Sequence, residues 1–126
     1  MPTAERRMTQ PKQPWRVHVL CAQWCGVCRD YQAFVREQQA KGAEEWVWVD
    51  IENEARSLGE LDVENFPTLF ITEGEALRFG GTVTPQPEVA LRLLQSLHEG
   101  NRYALPDIED LPELIHGLLA LPVERT

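Results

Sequence analysis

The sequence contains no apolar run approaching the roughly 18 residues a helix needs to cross a bilayer. Its three cysteines are too few for a disulfide-stapled scaffold. Basic side chains are scarce: 12 Lys and Arg stand against 20 Asp and Glu, a formal charge of −8, which argues against a nucleic-acid partner. The opening MPTAERRMTQPKQPW carries Arg6 and Arg7 but no apolar stretch after them, so it does not read as a secretory signal. What remains is 126 residues, 43% hydrophobic and 25% charged, enough for one ordinary globular domain with a short extension.

The charge is unevenly spread. Arg6, Arg7, Lys12 and Arg16 face only Glu5 in the first 16 residues, a local +3. Glu44 to Glu75 holds ten acids against Arg56 alone, a local −9. That block reads as a solvated acidic face, or as one that selects basic or neutral partners. Residues 1–14 are polar and hold Pro2, Pro11 and Pro14, the pattern of a disordered lead-in. With no secretory signal read, a cytoplasmic location is expected, where thiols are kept reduced.

Val17 to Ala22 is a short, nearly continuous apolar run, as expected of a strand buried on both faces. Val27, Tyr31, Phe34 and Val35 follow at helical spacing, so a helix is expected to about Ala40, closed by Gly42. Trp46–Ile51 is a second strand, and 53–60 a short helix capped by Asn53. Thr68–Thr72 and Ala76–Phe79 form a hairpin across Glu73-Gly74-Glu75, ended by Gly80-Gly81. Thr84–His98 is a helix with Val89, Leu93, Leu94 and Leu97 as its buried stripe. The order β-α-β-α-β-β-α predicts an α/β domain over 15–98, its first three strands parallel and the hairpin antiparallel. Residues 99–106 read as a linker. Asp110-Leu111-Pro112-Glu113 has capping-box spacing and opens a last helix, 110–121, whose stripe needs a partner in the sheet or in a second subunit. The 99–126 segment is expected to pack on the domain, and the chain to be a monomer.

Cys25-Gly26-Val27-Cys28 falls where the first strand turns into the first helix. Free backbone N–H groups and the positive end of the helix dipole favour a thiolate at Cys25, which makes it the nucleophile. Cys28, three residues on, can then attack a mixed disulfide formed on Cys25. Gly26 keeps the turn free of a side chain, and Trp24 shields one side. No cofactor is needed for such exchange. Phe66-Pro67-Thr68 opens the third strand, and a proline there is either an ordinary trans marker or a cis residue that places its backbone closely.

Trp24-Cys25-Gly26-Val27-Cys28, Val49-Asp50-Ile51-Glu52, Phe66-Pro67-Thr68-Leu69 and Gly80-Gly81 together resemble the thioredoxin family, over roughly residues 15–98. The resemblance implies a mixed four-stranded sheet flanked by helices, lacking the family's N-terminal strand and helix and carrying an extra C-terminal helix. It implies a thiol–disulfide oxidoreductase acting on protein disulfides, with a reductase as electron donor. It implies Cys25 as attacking and Cys28 as resolving thiol, Pro67 cis beside them, and Phe66 offering backbone to an extended substrate. Such a proline also keeps metal off the cysteines.

Departures from the pattern accompany the match. Val27 replaces the usual proline. Val19 stands where the family has a buried aspartate, and Trp48 where it has the partnering lysine, so slower resolution by Cys28 is expected unless water or another acid such as Glu52 serves. Cys21 replaces a tryptophan and reads as a small buried residue, or as a second resolving or regulatory thiol. Three other readings stand beside the enzyme. Cys21-x3-Cys25-x2-Cys28 has the spacing of an iron–sulfur motif, though the chain is short for that barrel. A zinc or copper site would need more soft ligands, and His18, His98 and His116 lie at no suitable spacing. A binding, assembly or redox-sensing module could keep the fold with little turnover.

Overall fold

The structure is a computed structural model that describes residues 14–22, 26–54 and 65–121. Most of the lead-in, Trp24 and Cys25, and most of the helix expected over 53–60 lie outside the described residues; 51–54 are turns. Four strands, β1 (Trp15–Cys21), β2 (Glu45–Asp50), β3 (Thr68–Glu73) and β4 (Ala76–Thr82), form one sheet in the order β2-β1-β3-β4. Among the described residues three helices accompany them: α1 (Gly26–Lys41), α2 (Pro87–His98) and α3 (Leu111–Leu119). It is a mixed four-stranded sheet with helices beside it, the α/β architecture that the resemblance implied.

β1 pairs parallel with β2 but antiparallel with β3. The expectation of three parallel strands is therefore corrected. A parallel third strand needs its connection to travel back along the sheet before pairing. Here β3 starts at Thr68 beside Leu20, at the end of β1 where β2 finishes with Asp50 beside Cys21. The connection leaves and returns at the same end of the sheet, so β3 runs the other way.

The nearly continuous apolar run of β1 has a plain cause. Val17, Val19 and Cys21 point to one face and pack with Tyr31, Phe34 and Val35 of α1 and Ala90, Leu94 and Leu97 of α2. Leu20 points to the other, where Val47, Val49, Phe70 and Leu77 meet Leu114, Ile115 and Leu118 of α3. Both faces are covered, so alternation vanishes from the sequence. The stripe of α3 is thus buried against its own sheet, at about 1.5–3 kcal/mol for each large aliphatic side chain. Arg16 fixes the end of this helix: its Nη1 donates to the carbonyls of Leu119 (3.0 Å) and Leu121 (3.4 Å), while Nε pairs with Glu45 at 2.8 Å.

Two turn signals take other roles. Gly80-Gly81 does not end β4 but pairs within it, opposite Phe70 and Leu69. A Cβ at Gly80 would lie 3.0 Å from both the Phe70 ring and Pro106 Cγ, so the glycine makes room for an aromatic ring and the incoming linker. Asp110 precedes α3 in a left-handed conformation (φ 57°) and makes no side-chain cap bond, despite its capping-box spacing. Gly42, at φ 73°, does close α1 and donates to the Gln38 carbonyl.

His18 lies on the α3 side of β1, fully buried. Its Nδ1 is 3.0 Å from the Phe70 carbonyl, which only accepts, so the ring donates from Nδ1–H. Nε2 has no hydrogen-bond partner in ordinary geometry, although the Leu118 carbonyl is near enough to favour a proton. Burial outweighs both carbonyls and lowers the pKa from 6.5 to about 4, so the ring is neutral at pH 7.

Candidate functional site

The carboxyl end of β1 is where the chemistry-bearing residues meet. Cys21 is the last residue of the strand and sits beside Asp50, the last residue of β2. Its carbonyl accepts from Ile51 N–H at 3.0 Å, which ties the chain leaving β2 to the same spot. On the other side Leu20 pairs with Thr68, so that Pro67, the residue before β3, lies at the same end of the sheet. The Phe66–Pro67 peptide bond is cis, Pro67 is buried, and its carbonyl accepts from Val83 N–H at 3.1 Å.

Cys28 enters from the first turn of α1 and is bonded to Cys21 in a disulfide, with Cα atoms 5.8 Å apart, inside the ordinary range. Both are closed to solvent, at 0% and 1% exposure. The sequence singled out Cys21 as a possible second resolving or regulatory thiol; its partner is Cys28. Cys25 and Trp24 lie outside the described residues, so their geometry forms no part of the site described here. Gly26 begins α1 and is exposed, and a Cβ there would meet only Arg29 Nη2 at an ordinary 3.8 Å. Among the described residues, then, nothing packs closely enough there to demand a glycine.

Two hollows flank this end of the sheet. One, of about 400 Å³, is lined by Ala22, Cys28, Arg29, Trp48, Asp50 and Asn53 among others. The other, of about 330 Å³, runs between Val27, Asp30 and Tyr31 of α1 and Pro85-Gln86-Pro87 before α2. Val27, 41% exposed, is an apolar rim on the second hollow. Burial pushes the Tyr31 hydroxyl up to about 12, so it stays protonated.

Val19, where an acid would stand in the family pattern, is fully buried in the apolar cluster with Trp48 packed against it. Among the described residues the buried polar side chains are His18, Gln38, Thr68 and Thr72, with no carboxylate. Glu52 is exposed. The acid that does reach the cysteine hollow is Asp50, to which the sequence assigned no role. One of its oxygens accepts from Glu52 N–H at 2.9 Å and Asn53 N–H at 3.4 Å, a side-chain turn that shapes the chain after β2. The other histidines sit apart: His98 pairs with Glu44 at 3.0 Å and lies against Trp15, and His116 is exposed on α3.

A family model described as thioredoxin matches residues 5–92. No curated protein matches the sequence. Solved structures share the fold at low identity. The germline-specific thioredoxin Deadhead of Drosophila melanogaster superposes with a TM-score of 0.59 at 14% identity, over 75% of this chain and 90% of its own. The thioredoxin of Fasciola hepatica gives 0.59 at 22%, with the same coverage. Thioredoxin f2, solved in complex with ferredoxin:thioredoxin reductase, gives 0.56 at 19%, over 68% of this chain and 79% of its own. With a family match over most of the chain and the same fold in known members, this chain belongs to the thioredoxin family.

Proposed function

We propose that the protein is a thiol–disulfide oxidoreductase that reduces protein disulfides by dithiol exchange. Cys25 attacks a substrate disulfide, and Cys28 resolves the mixed disulfide and leaves the pair oxidised. The observation that carries this reading is the sulfur of Cys28: it sits in the first turn of α1 of a thioredoxin-family chain and is already disulfide-bonded. Cys25 directly precedes that helix in sequence, where backbone N–H groups and the helix dipole lower a thiol pKa. Trp24, Phe66 and Pro67 border the exchange site, and an extended substrate segment pairs with the backbone at Phe66. The hollow beside Val27 supports an apolar contact with that segment.

The electron donor is a reductase, by analogy with the reductase complex of thioredoxin f2. The working unit is 15–98 with 99–126 attached, acting as a monomer in a reducing compartment such as the cytoplasm. Burial of the α3 stripe on its own sheet supports the monomer. The insulin–dithiothreitol turbidity assay tests the reading: turnover is expected, and Cys25→Ser should abolish it.

A second reading is a redox-sensing or assembly module with little turnover. It is favoured by the apolar Val19 and by the engagement of Cys28 with Cys21. Wild-type protein that fails to reduce insulin while still forming a disulfide would establish that reading instead.

A further inference from the structure

We propose that Cys21 is a third redox-active thiol that competes with Cys25 for Cys28, so that the oxidised protein holds its disulfide in the buried Cys21–Cys28 position and leaves Cys25 a free thiol. The proposal rests on the oxidoreductase reading for the route by which Cys28 becomes oxidised. It rests on the structure for the destination.

Three observations converge. Cys21 and Cys28 are bonded, across a Cα separation of 5.8 Å that asks for no movement of strand or helix. Cys21 is fully enclosed and lines neither hollow, whereas Cys28 lines the one shared with Asp50 and Arg29. Among the described residues it is thus Cys28, not Cys21, that borders a hollow, and exchange into or out of the couple is expected at Cys28. Lastly, Val19, Val35 and Leu69 belong to the same apolar cluster as both sulfurs, and no buried carboxylate is present among the described residues to accept a proton.

The step is an internal isomerisation. After a substrate disulfide has been reduced, the enzyme holds a Cys25–Cys28 bond and a Cys21 thiol. Cys21 attacks the Cys28 sulfur, and its proton leaves by way of the departing Cys25 sulfur, since Cys21 itself has no contact with solvent. The Cys21–Cys28 bond forms, the Cys25–Cys28 bond breaks, and Cys25 leaves with the electron pair, ending as a thiolate once that proton has passed to solvent. One disulfide and one thiol stand on each side, so no further oxidant or reductant is needed. The direction follows from acidity. A thiol ahead of a helix is the better leaving group, and a thiolate sealed in an apolar cluster is the worse one to keep. The equilibrium therefore consumes Cys21 and releases Cys25. Recycling runs in reverse: Cys25 attacks Cys28, and the Cys25–Cys28 disulfide then meets the donor.

Disulfide mapping tests this directly. Reduced protein is oxidised with insulin or oxidised glutathione, quenched, unfolded and labelled with N-ethylmaleimide. Cleavage after Arg16, Trp24 and Arg29 places Cys21 on one peptide and Cys25 with Cys28 on another. The expected product is the two peptides cross-linked, with the label on Cys25. A looped Cys25–Cys28 peptide with the label on Cys21 overturns the proposal and leaves the oxidoreductase reading intact. Cys25→Ser provides the second variant, since it leaves both Cys21 and Cys28 in place. Oxidised with diamide, it should hold no labelled thiol; two labelled thiols overturn the proposal. A Cys21–Cys28 cross-link in wild-type protein that turns over no insulin would support the buried couple and sink the exchange reading.

Discussion

Lowering the pH should loosen the α3 side of the sheet through one residue, His18. The ring is buried with its Nδ1–H given to Phe70, and burial lowers its pKa from 6.5 to about 4. In the unfolded chain the ring takes up a proton as the pH falls below 6.5; in the folded protein it resists until about 4. The unfolded state therefore binds more protons across that window, and stability falls with falling pH. Above pH 6.5 the neutral ring costs nothing in this respect. At about 1.36 kcal/mol per pH unit, the loss attributable to His18 reaches about 2 kcal/mol by pH 5 and about 3 kcal/mol near pH 4. Carboxylates titrate in the same range, so the measurement is a difference. Urea unfolding of wild type and His18→Asn, at pH 7.5, 6 and 5, gives ΔG for each. Asparagine keeps a donor near the Phe70 carbonyl and cannot take up the proton. Wild type should lose about 2 kcal/mol more than the variant between pH 7.5 and 5. Parallel pH curves for the two proteins would refute the placement of a neutral, desolvated ring beneath α3.

Three further outcomes follow from packing and chemistry. Gly80→Ala forces a Cβ to within 3.0 Å of the Phe70 ring and Pro106 and should cost about 1–3 kcal/mol, read as a lower melting temperature; an unchanged one would mean that the linker does not cross there. Leu118→Ala empties a fully buried position between α3 and the sheet and should cost about 2–5 kcal/mol, whereas a helix loosely attached in solution would show almost no loss. The pH–rate profile for reduction of a small disulfide should follow the Cys25 thiolate alone, because Val19 supplies no acid beside Cys28. A second inflection near neutral pH would reveal a buried acid in that role.

Much of this was legible in the sequence, and what was not has physical causes. The two-faced burial of β1 shows as a nearly continuous apolar run, and α1 and α2 as helical stripes. Strand direction leaves no such trace: a period of two reads the same both ways, so β3 was expected parallel and runs antiparallel. The Gly80-Gly81 pair looked like a turn because glycine signals both a turn and a close approach, and only the Phe70 ring above it decides. Asp110 carried a capping signature that its left-handed backbone does not use. At the site, the cysteines announced themselves by spacing, but the bond from Cys21 to Cys28 depends on β1 and α1 meeting at one end of the sheet. Asp50 was hidden for a similar reason. It reaches the cysteine hollow only because β2 ends level with β1.

The most direct test of the central claim is the acidity of one thiol. The fully reduced protein is alkylated with iodoacetamide across pH 5 to 10, and the rate at Cys25 is followed by mass spectrometry of its peptide. The account expects a midpoint well below the value of about 8.5 for a free cysteine, with Cys21 slow throughout. A midpoint at or above 8.5 would contradict it, for the chain would then hold a thioredoxin fold without an attacking sulfur.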